Sequence, residues 1–336
     1  MFSFLPNFIF SDYVYLIIGF IVLIKWADIL VSGASSIASK LWISPLVIGL
    51  TIVAFGTSAP ELFVNVFSAL KWQTELALWN VIGSNIANTW LVLGAAAVVY
   101  PLQAKSSTIY KEVPFSLIAS FALLFLAFDT FFSGGSINIL TRGESLVFLL
   151  FFVIFFSYTF TLARWWKTEE EKNEDINEDI IDRSIPSSIL YVIGWLIGLG
   201  IWAELLVGSA KSIALWFWVS EAVIGLTVVA FGTSAPELVT SVVASFKKQS
   251  DIAIGNIVGS NIFNILLVLG ITWSIANLPV SSSLIIDIVV ELFAIILLVL
   301  FLFFFWKKWL ITRFEWWIFI VLYLVYIAYI VQSQIL

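Results

Sequence analysis

The sequence predicts an all-α polytopic membrane protein, with ten transmembrane helices in two inverted five-helix repeats. Three observations carry that expectation. Hydrophobic residues make up 61% of the 336-residue chain and charged residues only 11%, a balance that soluble domains do not have. Apolar runs of about twenty residues, the length that spans a bilayer, recur from end to end between short polar loops. One stretch also occurs twice: residues 47–62 read VIGLTIVAFGTSAPEL and residues 223–238 read VIGLTVVAFGTSAPEL, differing only at Ile52 and Val228. A β-barrel does not fit, because its strands alternate in polarity over about ten residues.

Taken in order, the spans are expected near 13–38, 43–70, 77–99, 114–132, 144–163, 187–214, 220–246, 252–276, 287–306 and 314–332. The first, second, sixth and seventh exceed the roughly 20 residues a span needs, so they are expected to tilt or break. The first lacks the basic region and small-residue cleavage pattern of a signal peptide and reads as retained. The one sizeable loop, RWWKTEEEKNEDINEDIIDRSIP at 164–186, is dense in acids and reads as a solvated linker. A Ca²⁺-sensing role for it would need the Gly-containing spacing of an EF-hand, which it lacks.

The duplication extends beyond the opening stretch. At a constant offset of 176, Asp28 matches Glu204, Gly83-Ser84-Asn85-Ile86 matches Gly259-Ser260-Asn261-Ile262, and Asn88 matches Asn264. The units are therefore residues 1–165, an acidic linker at 166–185, and residues 186–336. Five spans per unit is odd, so the second unit enters the membrane from the opposite side, an architecture that forms binding sites at the midplane. Lys71, Arg142 and Lys211 fall on one side and Lys25 lies within the first span. The other twelve Lys and Arg fall on the opposite side. The positive-inside rule then predicts a cell-membrane protein with both termini extracytoplasmic and the acidic linker cytoplasmic.

Composition narrows the chemistry. There is no Cys, no His and a single Met, so disulfides are impossible and the usual ligands of zinc, copper, haem and iron–sulfur clusters are missing. Oxygen ligands remain, and these suit hard cations such as Ca²⁺ and Na⁺. No cofactor and no obligate protein partner are implied. The net charge of -6 comes mainly from one loop and points to no nucleic acid. Enzyme activity is not expected, since Ser58 and Ser234 have no evident base.

The repeated stretch breaks a membrane helix and places an acid beyond the break. Pro60 and Pro236 lack an N–H and clash with the carbonyl four residues back. A kink is expected there, with unpaired carbonyls around Ala54–Thr57 and Ala230–Thr233. Thr57 and Glu61 share a helical face, as do Thr233 and Glu237. A packing kink alone leaves unexplained two midmembrane Glu, each costing at least about 2.5 kcal/mol. Ser84 with Asn88, and Ser260 with Asn264, line one face of the following helix and read as further oxygen ligands. Asn85 and Asn261 point elsewhere and read as interhelical bonds. Asp28 and Glu204 fit a polar pathway lining or an interhelical bond equally well. Asp12, Asp129, Glu144 and Asp287 read as interfacial.

GTSAPE in both halves, each followed by GSNI-x-N, resembles the α-repeats of the Ca²⁺/cation antiporter superfamily, most of all the prokaryotic sodium/calcium exchangers. The resemblance implies ten helices in two inverted repeats, four central cation sites, and two long helices, the first and sixth, that slide to alternate access. It places Glu61 and Glu237 across the central Ca²⁺ position. Thr57, Ser58, Thr233 and Ser234 supply hydroxyl or carbonyl oxygens, and Ala54 and Ala230 backbone carbonyls. Ser84, Asn88, Ser260 and Asn264 complete the set. Many relatives carry Asp at the last position, which in potassium-dependent exchangers is associated with K⁺. An Asn there argues against K⁺ dependence and removes one proton-bearing acid. The Gly-Asn-x-x-Glu motif of the Ca²⁺/H⁺ branch is absent from both halves. The expected activity is Na⁺/Ca²⁺ antiport, with Ca²⁺, Na⁺ and the lipid bilayer as partners. Ca²⁺/H⁺ exchange and a cation channel stand as alternatives.

Overall fold

A computed structural model describes residues 9–41, 43–72, 74–104, 108–128, 138–165, 230–304, 310–311 and 313–335, with isolated positions between 186 and 198. The acidic linker, Asp129, Glu204 and most of the expected sixth span lie outside the described residues, as does the first part of the seventh.

The described chain is almost entirely helical. In order it comprises α1 (Ile9–Leu41), α2 (Pro45–Thr57), α3 (Ala59–Leu70), α4 (Thr74–Val99), α5 (Thr108–Ala127), α6 (Arg142–Trp165), α7 (Ala230–Thr233), α8 (Ala235–Phe246), α9 (Ser250–Ile275), α10 (Ser282–Phe304) and α11 (Arg313–Ile335). Six of these are long and apolar enough to cross a membrane, and the α2–α3 pair, bent by 43°, has the length and composition of a broken span or a re-entrant loop. α1, with 33 residues, has the length to cross at a steep tilt. The chain is thus a multi-pass helical membrane protein.

The break falls where the Pro predicts it. Ser58 has φ −82° and ψ 2°, and Pro60 follows as the second residue of α3. Ser234 repeats this at φ −83° and ψ 0° between α7 and α8. One expectation needs correction. The Ala54 carbonyl keeps a helical partner, the Ser58 N–H at 2.9 Å, because the N–H that Pro60 lacks would have served Gly56. The Thr57 hydroxyl also donates to Ala54 O at 3.3 Å.

Helix α9 is the centre of the packing, and its glycines explain how. Added Cβ atoms would meet Leu46 O at 2.8 Å from Gly255, and Ala54 Cβ at 2.7 Å from Gly259. On the α2 side, a Cβ on Gly49 would meet Ile252 O at 2.9 Å. Backbone therefore lies on backbone, which small residues permit between membrane helices. In this way the first broken helix is pressed against the GSN-bearing helix of the other half. α8 packs on α1, α3 on α4, α10 on α5 and α4, and α11 on α4.

Two short ladders also cross between the halves. Leu102–Gln103, after α4, pairs antiparallel with Leu310–Ile311, before α11. Ile139–Leu140, before α6, pairs with Leu278–Pro279, after α9. Each ladder joins the strand after one GSN helix to the strand before the last helix of the other half.

Candidate cation site

Glu61 and Glu237 are both fully buried, and their charges lie close enough to interact. Their surroundings are drawn from both halves. The Ser84 hydroxyl donates to Glu61 Oε1 at 3.3 Å and stands 3.4 Å from the Thr233 hydroxyl. Thr57 stands 3.1 Å from Ser260, and the hydroxyls of both are disposed toward Glu237. Ser58 donates to Glu237 Oε1 at 3.3 Å. A Thr of each broken helix thus meets a Ser of the opposite half beside a carboxylate.

Behind this ring sits a layer that motif reading passed over. Thr57 Oγ1 donates to Asn256 Oδ1 at 2.9 Å, and Thr233 Oγ1 donates to Asn80 Oδ1 at 3.1 Å. Asn80 Nδ2 then donates to Asn65 Oδ1 at 2.8 Å, and Asn256 Nδ2 donates to Ser241 Oγ at 2.9 Å. Asn80 and Asn256 are related by the same 176-residue offset, as are Asn65 and Ser241. The signal was therefore present, just upstream of the Gly-Ser-Asn motif. Asn85 donates to the backbone carbonyl of its own equivalent, Asn261, at 3.4 Å. Two equivalent residues in contact mark where an axis relating the halves would pass.

Asn88 and Asn264 both lie in π-helical segments, Ala87–Val92 and Phe263–Leu269. Such turns concentrate at functional sites. Both side chains are buried. Neither the oxygen nor the nitrogen of Asn88 has a partner, whereas Asn264 Nδ2 donates to Asn85 Oδ1 at 3.1 Å.

The chemistry of the centre fits a hard cation. Glu61 Oε2, Glu237 Oε2, Ser234 Oγ, Asn88 Oδ1 and Asn264 Oδ1 are all buried without a hydrogen-bond partner. Buried acceptors left this way are costly, and a desolvated cation satisfies them. Carboxylates, hydroxyls and amide oxygens together are the ligand set of Ca²⁺ and Na⁺. Among the described residues there is no cluster of three or more His, Cys, Asp or Glu, so neutral oxygens must supply most of any coordination shell.

For Asp28 the structure shows the interhelical reading: it is half-exposed on α1 and pairs with Lys247 Nζ, at the end of α8, at 2.8 Å. Asp287, expected at the interface, is buried and accepts from Tyr326 OH at 2.9 Å. Its helix begins at Ser282, which draws Asp287 more than a turn inward, where a Tyr of α11 reaches it.

The family model described as sodium/calcium exchanger protein matches residues 11–161 and 187–332. The inner membrane protein YrbG of Escherichia coli (strain K12) is 36% identical over 76% of this chain and 77% of its own. The sodium/calcium exchanger MaX1 of Methanosarcina acetivorans is 32% identical over 95% of this chain and 97% of its own. A solved structure of the sodium-calcium exchanger NCX_Mj, soaked with 10 mM Na⁺ and zero Ca²⁺, aligns with a TM-score of 0.79 at 30% identity. That alignment covers 96% of this chain and 99% of the other.

Proposed function

The chain belongs to the sodium/calcium exchanger protein family of membrane cation antiporters, and from that premise we propose that it exchanges Na⁺ for Ca²⁺ at one shared midplane site. Glu61 and Glu237 bridge the Ca²⁺ position. Thr57, Ser58, Thr233, Ser234, Ser84, Asn88, Ser260 and Asn264 give side-chain oxygens, and Ala54 and Ala230 give carbonyls. The observation that carries this reading is the pair of buried carboxylates, each met by hydroxyls drawn from both halves and each with one oxygen unpartnered.

The mechanism follows from charge. Two carboxylates bring a charge of about −2 into a medium where an unneutralised charge is expensive. One Ca²⁺ neutralises them, and so do Na⁺ ions spread over the same oxygens, but the two cannot be held together. Occupancy by one cation or the other is then the condition for moving the site between the two sides of the membrane, and exchange is coupled.

The architecture we propose is two inverted five-helix repeats, residues 1–165 and 186–336, joined by a cytoplasmic linker at 166–185. Both termini are extracytoplasmic, and the first and sixth helices slide to alternate access. The crosswise bonds Thr57–Asn256 and Thr233–Asn80 support it, as do the crossed ladders and the Asn85–Asn261 contact. A second reading, Ca²⁺/H⁺ exchange, uses the same two carboxyls as proton carriers. Radiolabelled Ca²⁺ uptake into vesicles, with Na⁺, K⁺ and proton gradients imposed one at a time, separates the two. We expect uptake with the Na⁺ gradient alone. Uptake that follows the proton gradient and ignores Na⁺ overturns the Na⁺ assignment.

A further inference from the structure

A chain of buried polar groups outside the mirrored set ends on this site. Glu291 of α10 is buried, and its Oε1 accepts from Ser120 Oγ of α5 at 2.8 Å and from Asn85 Nδ2 of α4 at 3.4 Å. Asn85 Oδ1 in turn accepts from Asn264 Nδ2 at 3.1 Å. Asn264 Oδ1 is buried with no partner. Ser260, one turn earlier on the same face of α9, touches Thr57 in the ring.

An amide has a donor end and an acceptor end of nearly identical shape, so its hydrogen-bond partners decide which way it faces. The acceptor oxygen of Glu291, together with the Asn261 backbone carbonyl, draws the NH₂ of Asn85, which turns the Asn85 oxygen to Asn264. That oxygen draws the NH₂ of Asn264 and leaves the Asn264 oxygen outward. Reversed, Asn264 would point N–H groups at a cation. We propose that Glu291 is a positioning residue that acts through Asn85 to present the Asn264 oxygen, and not its NH₂, to the transported cation. This rests on the reading of Asn264 as a ligand. The device is one-sided. At the 176-residue offset the equivalent of Glu291 is Phe115, and Asn88 has no partner at either end.

The test is the half-saturating Ca²⁺ concentration of the reconstituted full chain, measured by radiolabelled Ca²⁺/Ca²⁺ exchange, which needs no Na⁺ or proton gradient. Glu291→Met removes the acceptor at similar size and is expected to raise that concentration about tenfold, with the maximal rate little changed. Glu291→Gln retains an acceptor oxygen and is expected to stay near wild type. Asn85→Ala cuts the relay in the middle and should match Glu291→Met, so it carries the test should Glu291→Met fail to fold. Asn264→Asp offers acceptor oxygens in any orientation, and in that background neither substitution should raise the concentration further. A Glu291 that only supports the fold would leave both defects uncorrected by Asn264→Asp. Normal affinity in Glu291→Met and Asn85→Ala, alongside weakened affinity in Asn264→Ala, overturns the relay alone. Normal affinity in Asn264→Ala overturns the ligand assignment itself.

Discussion

The layer behind Glu61 and Glu237 repeats almost contact for contact, whereas Asn88 and Asn264, one helix away, do not. Around the carboxylates, Thr57–Asn256–Ser241 has its counterpart in Thr233–Asn80–Asn65, with distances within a few tenths of an ångström. The break residues Ser58 and Ser234 share one backbone conformation. The two amides lie in equivalent π-helical segments, yet Asn264 is tied through Asn85 to Glu291 and Asn88 is tied to nothing. The bonds that hold the two threonines beside the carboxylates are built by both halves alike. How a given oxygen is oriented depends on neighbours that are not duplicated. A cation passing through the centre therefore meets a symmetric pair of charges and an asymmetric pair of amides.

The strongest way to break this comparison is to remove one carboxylate at a time. Glu61→Ala and Glu237→Ala are each expected to take gradient-driven Ca²⁺ uptake in vesicles to background. Either change leaves a single negative charge facing a divalent cation in a dry site, where charge balance dominates. Equal loss from both is the signature of a shared site. Near-normal uptake in both variants would falsify the site assignment. Loss in only one would mean that the halves are alike in shape and unequal in role.

A milder pair of changes tests the layer behind. Asn80→Ala and Asn256→Ala each remove one acceptor from a buried threonine hydroxyl and one donor from the group behind it, Asn65 or Ser241, a cost of about 1–3 kcal/mol. Where that cost falls on the ion-bound state, Ca²⁺ affinity drops roughly tenfold or more. The Ca²⁺ dependence of exchange should shift alike in both variants, because Thr57–Asn256 and Thr233–Asn80 are counterparts. A shift in one and none in the other would mean that the mirrored bonds do unequal work.

Much of this was legible before any coordinates. The broken helices were, because a Pro four residues past a glycine in an apolar run admits little else. The expected third span at 77–99 agrees with the apolar part of α4, a helix that begins at Thr74. Asn80 and Asn256 obey the offset but lie outside the eye-catching Gly-Ser-Asn triplet, so the repeat encoded them without advertising them. Glu291 was opaque. It shares the apolar run LIIDIVVELFAIILLV with Asp287, matches a Phe in the other half, and gains its meaning only from Ser120 and Asn85, distant in sequence. The start of the helix that carries Asp287 was set late, at 287 where it begins at Ser282, and a helix start is where hydropathy gives least guidance. Non-repeated residues carry their information in tertiary neighbours, which a pattern along the chain cannot express.

The smallest effect is expected outside the site, at the ion pair of Asp28 and Lys247. It joins α1 of the first half to the end of α8 in the second, and Lys247 also donates to Ser32 Oγ at 2.6 Å. By the offset its counterpart would be Glu204 with Lys71. Half-exposed pairs of this kind contribute about 1 kcal/mol or less. The pair has no part in the hydroxyl ring, so Asp28→Asn should leave the half-saturating Ca²⁺ concentration within about twofold of wild type, with any change weakening as salt rises. The same titration that reads the Asn80 and Asn256 variants measures it. Loss of uptake in Asp28→Asn would place this acid on the ion pathway, and the boundary drawn between the duplicated centre and its surroundings would then have to move outward to include α1.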